Sequence, residues 1–553
     1  MPTPLISRLR GKMSVSSSSY IALTSLYFSI VLNTAFWAYV LRNPPGAGIY
    51  GLLSISGLAA ALSAGFLIIF NLIVWPRSAK PLVIALTLIA AALGYYMHAF
   101  NVFFDVDMLR NVMETTMAES MDVINLNAIA WFTVLGVIPS ILIGTCELKF
   151  RPLRKELPAR GKAILLALLA ITALVPISYR TYAPWWRNHR EARKLINPVN
   201  SVYSAFRYAE ALHKTDNHLV ALDPKAEHLP YEDDHKTVFI VVVGETARAM
   251  NHSLNGYPRK TNPRLEELQI LNFRDTTAGG TSTAVSVPII FSSAGRKDFA
   301  AAKEPYRENL LDLLKQGGYD VFWEENDSGC KNVCTRVENV TTNPRTHPEY
   351  CDGDYCYDEI LLEGLEERLR NAKKDTFIVL HLIGSHGPAY YKRYPAQFAV
   401  FKPTCDTQDI QNCSKEALVN TYDNTILYTD HVLSRAIGIL KKFPEYESGL
   451  LYVSDHGESL GEKNLYLHSL PFAIAPEEQI KVPMYVWMSE TMKREDHIDY
   501  GCMKEKALKG RFSHDNIFHS LLGLMEIHSS VYNKDLDFFG TCRTMPLPDK
   551  LPG

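Results

Sequence analysis

The stretch Leu450-Leu451-Tyr452-Val453-Ser454-Asp455-His456-Gly457 sets an acid, an imidazole and a glycine directly behind an apolar run, and Phe239-Ile240-Val241-Val242-Val243-Gly244-Glu245 repeats that arrangement upstream. Short continuous apolar runs of this kind read as strands buried on both faces. Open parallel sheets carry their functional groups at the carboxyl ends of the strands, so Glu245, Asp455 and His456 are expected together at one sheet edge. Two oxygen donors and an imidazole suit zinc or manganese, and the nitrogen favours zinc. Between the two runs, Gly280-Thr281-Ser282-Thr283-Ala284 offers hydroxyls where a helix is expected to begin, and backbone N–H groups there favour an anion. A cation beside an alcohol is the apparatus of a metal-activated nucleophile for phosphoryl or sulfuryl chemistry. Local sequence ranks Thr281, Ser282 and Thr283 about equally as that alcohol.

Working outward, β-branched runs alternate with amphipathic patterns from Lys236 onward, the signature of an α/β domain. Strands are expected at Val238 to Val243, Asp320 to Trp323, Thr376 to Leu382, Leu450 to Val453 and Val482 to Trp487. Helices are expected at Asn309 to Gln316, Glu359 to Asn371 and Lys415 to Lys442. His386, in Gly384-Ser385-His386-Gly387-Pro388, and His468, downstream of Asp455, stand in loops suited to binding a phosphate, holding a second metal or moving a proton. His381, inside a strand run, reads as a satisfied interior residue, and His431, His497 and His528 read as surface residues. Lys331 lies between Cys330 and Cys334 and could hold a phosphate as a point charge.

The first third of the 553-residue chain reads differently. Apolar stretches at about Ser19 to Leu41, Tyr50 to Trp75, Pro81 to Phe100, Leu126 to Cys146 and Ala163 to Tyr179 approach the roughly 20 residues needed to cross a bilayer, the fifth being the shortest. Arg8, Arg10 and Lys12 precede the first span, Arg77 and Lys80 follow the second, and Lys149, Arg151, Arg154, Lys155, Arg160 and Lys162 follow the fourth. Those segments are expected in the cytoplasm, which sends everything after Tyr179 to the other side. The first apolar run reads as a retained anchor, because no A-x-A-like cleavage site follows it. Between spans three and four, the segment from about 105 to 125 has Leu109, Val112, Met113, Met117, Met121 and Ile124 at helical spacing. It reads as an interfacial helix that serves either as a packing surface for the distal domain or as a guide for lipid. The division expected is a transmembrane domain over 1–186, a bridging linker over 187–235 and a catalytic domain over 236–553.

The cysteines agree with export. Apart from Cys146, all fall after residue 329, and the close pairs Cys330 with Cys334, Cys351 with Cys356 and Cys405 with Cys413 read as disulfides in an oxidising compartment. Cys502 and Cys542 could form a fourth. A net charge of -2 and the lack of a basic, aromatic-interleaved patch give no reason to expect a nucleic-acid partner. A monomer is expected.

Five amino-terminal spans followed by Val-Val-Val-Gly-Glu-Thr-Ala-Arg from Val241, Gly-Thr-Ser-Thr-Ala-Val-Ser-Val-Pro from Gly280, Gly-Cys-Lys-Asn-Val-Cys from Gly329, Gly-Ser-His-Gly-Pro-Ala-Tyr from Gly384, Tyr-Asp-Asn-Thr-Ile-Leu from Tyr422 and Ser-Asp-His-Gly-Glu-Ser-Leu-Gly-Glu from Ser454 closely resemble the lipid A phosphoethanolamine transferases. The resemblance implies five transmembrane helices followed by an alkaline-phosphatase-like α/β domain in the periplasm, anchored in the bacterial inner membrane with a cytoplasmic N-terminus. It implies zinc held by Glu245, Thr283, Asp455 and His456, and it selects Thr283 as the residue that carries phosphoethanolamine. The number of zinc ions, one or two, stays open. His386, His468, Lys331 and Asp327 fall where family members meet the substrate. The donor implied is phosphatidylethanolamine, the acceptor a lipid A phosphate, and the consequence resistance to polymyxins and other cationic peptides. Transfer to a core sugar or another glycan, a phosphoglycerol transferase, and an inactive metal-bound scaffold are the alternatives.

The chain departs from the family at several positions. A disulfide that often flanks the nucleophile motif is lost at both ends, with Gly279 and Ile289 in its place. Met250 stands where aspartate is common, and Asn332 replaces a common glycine.

Overall fold

The computed structural model describes residues 14–46, 48–115, 117–214, 218–229, 235–300, 303–344, 346–353 and 355–545. Arg8, Arg10 and Lys12, used above for orientation, lie outside them. The chain divides into two compact units, one of Met1–Leu109 with Ile124–Tyr208 and the other of Arg110–Val123 with Ala209–Gly553.

In the first unit, Gly48–Ile73, Ala79–Ala99, Leu126–Thr145 and Leu153–Leu174 are long and apolar enough to cross a membrane, and Ser17–Val31 with Thr34–Arg42 forms a fifth, bent by 50°. The bend has a local cause. Asn33 turns its side-chain amide onto Phe28 O and Asn197 O, each at 2.7 Å, and accepts from Asn197 N at 2.8 Å, so the polar groups freed by the break find partners away from lipid. The stretch expected to be the shortest span belongs to the longest helix among the described residues, Leu153–Asn188, because the basic run before Ala163 is itself helical. There Glu156 and Arg160 pair one turn apart at 3.0 Å.

The second unit is built on a seven-stranded sheet. In chain order its strands are β1 Lys236–Gly244, β2 Leu271–Asn272, β3 Asp320–Glu325, β4 Glu338–Thr341, β5 Thr376–His381, β6 Tyr446–Ser454 and β7 Met484–Met488. Their spatial order is β2-β7-β6-β1-β5-β3-β4, with β6, β1, β5, β3 and β4 parallel, β7 antiparallel to β6, and β2 antiparallel to β7. Successive side chains of β1 enter opposite cores: Phe239, Val241 and Val243 on one face, Val238, Ile240 and Val242 on the other. This is why these strands read as unbroken apolar runs rather than alternating ones.

β6 begins at Tyr446, earlier than its apolar run suggested, because Glu447 and Ser448 are buried within the sheet. The helix expected over Glu359 to Asn371 is divided into Asp358–Leu362 and Leu365–Arg370 at Gly364, whose φ of 72° a side-chain-bearing residue rarely adopts. The segment read as a linker contains the helix Val199–Lys214, and the boundary between the units falls inside it. The segment read as an interfacial helix is two pieces, Val106–Glu114 and Met117–Asp122. Its part Arg110–Val123 belongs to the second unit, where Asp122 bonds Lys392, Arg393 and Gln408 and Asn111 bonds Ser469. These contacts favour the packing-surface reading of that segment.

Candidate active site

Register brings the first ligands together. Gly244 pairs with Ser454 across β1 and β6, so Glu245 and Asp455 leave neighbouring strands at the same level. Asp455 N–H donates back to Gly244 O at 2.9 Å. One oxygen of Asp455, Oδ1, accepts from the backbone N–H groups of Thr246 at 3.1 Å and His456 at 2.7 Å, while Oδ2 has no hydrogen-bond partner. His456 donates from Nδ1 to Gly457 O at 2.9 Å, which leaves Nε2 as a lone-pair donor. That Nε2 stands 3.2 Å from Asp455 Oδ2 and 3.6 Å from Glu245 Oε1. Gly384 is held close against this loop: at φ 49°, a Cβ there would lie 2.7 Å from Glu245 O.

Of the three hydroxyls left open by the sequence, Thr283 is the one brought to this cluster. Its Oγ1 donates to Glu245 Oε2 at 3.1 Å and lies 3.5 Å from His456 Nε2. Thr281 instead donates to Leu470 O at 2.6 Å, and Ser282 is the N-cap of the helix Thr283–Phe291. Glu245, Asp455 and His456 are 0 % exposed and Thr283 9 %, so the whole cluster is buried.

Ligand atoms of Glu245, Asp455 and His456 lie within 4.8 Å of one another. Glu245 Oε1 and Asp455 Oδ2 are buried without partners, a costly arrangement for carboxylates unless a cation completes it. Burial, then the neighbouring Asp455, pushes the Glu245 pKa well above the ordinary carboxylate range, and burial, then His468, pushes His456 well below the usual imidazole value. A cation among these groups would reverse the carboxylate shift and favour the neutral imidazole. The donor set fits a divalent ion.

The histidines expected at a substrate site converge here. His468 packs on His456 with ring centroids 4.3 Å apart and on His386 at 6.2 Å. Burial works against a charge on His468, but Glu458, with Oε2 at 3.4 Å, raises its pKa above the usual value. Burial holds the His386 pKa down at about 4, although Asp327 opposes it. Lys331 sits within the Cys330–Cys334 disulfide and donates to Ser328 O at 2.9 Å and Ser328 Oγ at 2.7 Å, with Asp327 in electrostatic reach. The disulfides Cys351–Cys356 and Cys405–Cys413 are formed, as is Cys502–Cys542.

Several participants escaped the sequence reading. Glu458, which raises the His468 pKa, directly follows the Asp-His-Gly triplet and could have been found there. Glu114, on the segment Arg110–Val123, has its pKa raised by burial against the pull of Lys331, a long-range pairing that periodicity cannot reveal. Arg393 donates to His386 O at 2.9 Å. His381 is only half satisfied: Nδ1 meets Glu325 Oε1 at 2.9 Å, but Nε2 has no partner. His431, His497 and His528 are half-buried rather than exposed.

The family description Sulfatase matches residues 237–527, and Phosphoethanolamine transferase EptA/EptB matches residues 62–212. Phosphoethanolamine transferase EptA of Escherichia coli (strain K12) is 37% identical over 545 residues, covering 98% of this chain and 99% of that protein. Phosphatidylethanolamine transferase Mcr-2 of Escherichia coli is 33% identical, with 93% and 96% covered. The solved structure of the integral membrane protein lipooligosaccharide phosphoethanolamine transferase A from Neisseria meningitidis superposes with a TM-score of 0.93 at 38% identity, over 96% of this chain and 99% of that one.

Proposed function

The chain belongs to the phosphoethanolamine transferase family, and from that membership together with the site geometry we propose that it is a membrane-bound, zinc-dependent enzyme that transfers phosphoethanolamine from phosphatidylethanolamine to a lipid A phosphate. The observation that carries the reading is the meeting of Thr283 with Glu245 and His456 in a sealed carboxylate–imidazole cluster.

Glu245, Asp455, His456 and the Thr283 hydroxyl would hold the ion; when bound, it would lower the pKa of that hydroxyl and offset charge on the phosphoryl oxygens. Thr283 Oγ1, its proton directed at Glu245 Oε2, attacks phosphorus of the donor. The new P–O bond to threonine forms as the P–O bond to diacylglycerol breaks. His468, whose hold on a proton Glu458 strengthens, supplies the leaving alkoxide with a proton. The lipid A phosphate gives its proton to His468 and attacks the same phosphorus through that oxygen, the bond to threonine breaks, and Thr283 recovers its proton from Glu245. His386 and Lys331 contribute donors for the equatorial oxygens. With the catalytic unit on the periplasmic face of the inner membrane and the N-terminus in the cytoplasm, enzyme, donor and acceptor share one surface, which removes much of the encounter cost. Each transfer adds an amine to an anionic phosphate, lowering negative charge and, with it, the binding of polymyxins and other cationic peptides.

The test is mass spectrometry of envelope lipids from cells expressing the wild type or Thr283→Ala. A phosphoethanolamine increment on lipid A seen only with the wild type is expected. An increment on a core sugar would move the acceptor, and a glycerol phosphate increment would overturn the reaction class.

A further inference from the structure

We propose that the chain holds a second divalent cation, of the zinc or manganese kind, on Glu245, Asp327 and His381. The three come from adjacent strands: Glu245 follows β1, His381 ends β5, and Asp327 lies just beyond β3, with His381 level with Val243 on one side and Glu325 on the other. One ligand atom from each lies within 4.8 Å of the others. Each residue has one atom engaged and one left over. Glu245 Oε2 accepts from Thr283, Asp327 Oδ2 accepts from Ser328 Oγ at 2.9 Å, and His381 Nδ1 is committed to Glu325. Among the described residues, Asp327 Oδ1 and His381 Nε2 are buried without a partner, as is Glu245 Oε1, the oxygen that the first cation would share.

His381 carries the argument furthest, because it is 0 % exposed and its Nε2 meets no acceptor or donor among the described residues. A carboxylate on Nδ1 is the arrangement that fixes the tautomer of a metal-binding histidine and aims Nε2 at the ion. Charge points the same way. Glu245, Asp455, Asp327 and Glu325, the last held on His381, bring four carboxylates to this sheet edge, and one divalent ion with the Lys331 ammonium does not balance them. Two oxygen donors with an imidazole suit zinc or manganese better than calcium or magnesium. The proposal rests on the first cation site for the shared ligand Glu245, and the test keeps the two apart.

Full-length protein in detergent is stripped with a chelator, re-equilibrated with zinc and desalted, and zinc per chain is counted by plasma mass spectrometry. Zinc-edge anomalous diffraction from wild-type crystals locates the ions without any substitution. We expect two zinc ions per chain, with an anomalous peak between Asp327 and His381. Asp327→Asn and His381→Gln should each bring the count to one while melting as cooperatively as the wild type. One zinc in the wild type, with no anomalous density at His381, would overturn the proposal and leave a proton on His381 as the neutralising charge. So would two ions both retained by Asp327→Asn, which would put the second elsewhere, as on His386 and His468. If Asp455→Asn keeps the full count while Asp327→Asn loses an ion, the first-site reading fails and this one stands.

Discussion

Ile289 fills the space that a side chain at position 279 would need. A Cβ on Gly279 would lie 2.6 Å from Ile289 Cγ2, far inside ordinary contact. The two positions where relatives often carry a disulfide therefore face each other here as glycine and isoleucine. Across this contact Gly279 N–H also donates to His514 Nδ1 at 3.0 Å, and His514 Nε2–H donates to Ser454 O at 3.0 Å. A buried histidine thus ties the nucleophile loop to the strand that delivers Asp455.

Gly279→Ala should then be destabilising by about 1–3 kcal/mol, as overpacking of a tight core is. Ile289→Ala alone should cost about 2–5 kcal/mol as a core truncation, and the double variant should cost clearly less than the two single losses together. Urea unfolding of the two single variants and the double variant gives the coupling directly, and additive effects would contradict the contact.

Asn332 has a φ of 70°, next to Lys331 at 49°. The asparagine in place of the family's usual glycine is thus explained by backbone, since asparagine tolerates the left-handed region better than most side chains. Asn332→Gly should change the melting temperature little. Asn332→Val should cost roughly 1–2 kcal/mol and shift the loop that presents Lys331, read as a raised KM for the donor. Nothing in the structure explains Met250, which is 39 % exposed.

Burial opposes ionisation of Asp122, but Lys392 at 2.9 Å and Arg393 at 3.1 Å outweigh it and hold its pKa below the ordinary value. The folded state therefore binds this proton less readily than the unfolded state. Its stabilisation is complete above the unfolded carboxylate pKa and is lost as pH falls through the lower folded value. Asp122→Asn should remove that acid-side slope. At neutral pH it should cost on the order of 3 kcal/mol, because it leaves Arg393 buried beside a neutral group. Hydrogen exchange of 110–123 should quicken in the same variant.

Chelation should expose the carboxylate cluster. Stripping the metal should lower the melting temperature and abolish labelled threonine in the peptide that spans Thr283, and added zinc should restore both. A metal-free protein with unchanged melting and undiminished labelling would contradict the cation reading.

Much of this was legible in the chain because buried parallel strands print themselves as apolar runs and their ends carry the ligands. The convergence of Glu245, Asp455 and His456 needed nothing more. Thr283 could not be chosen locally, since Thr281 and Ser282 have the same chemistry and differ only in what folding brings near them. His381 was misjudged because a strand histidine looks the same whether one nitrogen or both are satisfied. The start of β6 hid behind Glu447 and Ser448, polar residues that the sheet buries. The bend at Asn33 was equally invisible, since its partner Asn197 is remote in sequence.

The short strap Arg110–Val123 is flanked on both sides by residues of the first unit, yet it supplies the carboxylate that neutralises Arg393, and Arg393 grips the carbonyl of His386. A water-soluble fragment beginning at Ala209 leaves that strap behind. In such a fragment Arg393, 1 % exposed, would lose its carboxylate partner, and the His386 loop that it holds should be less firmly fixed than in the whole chain.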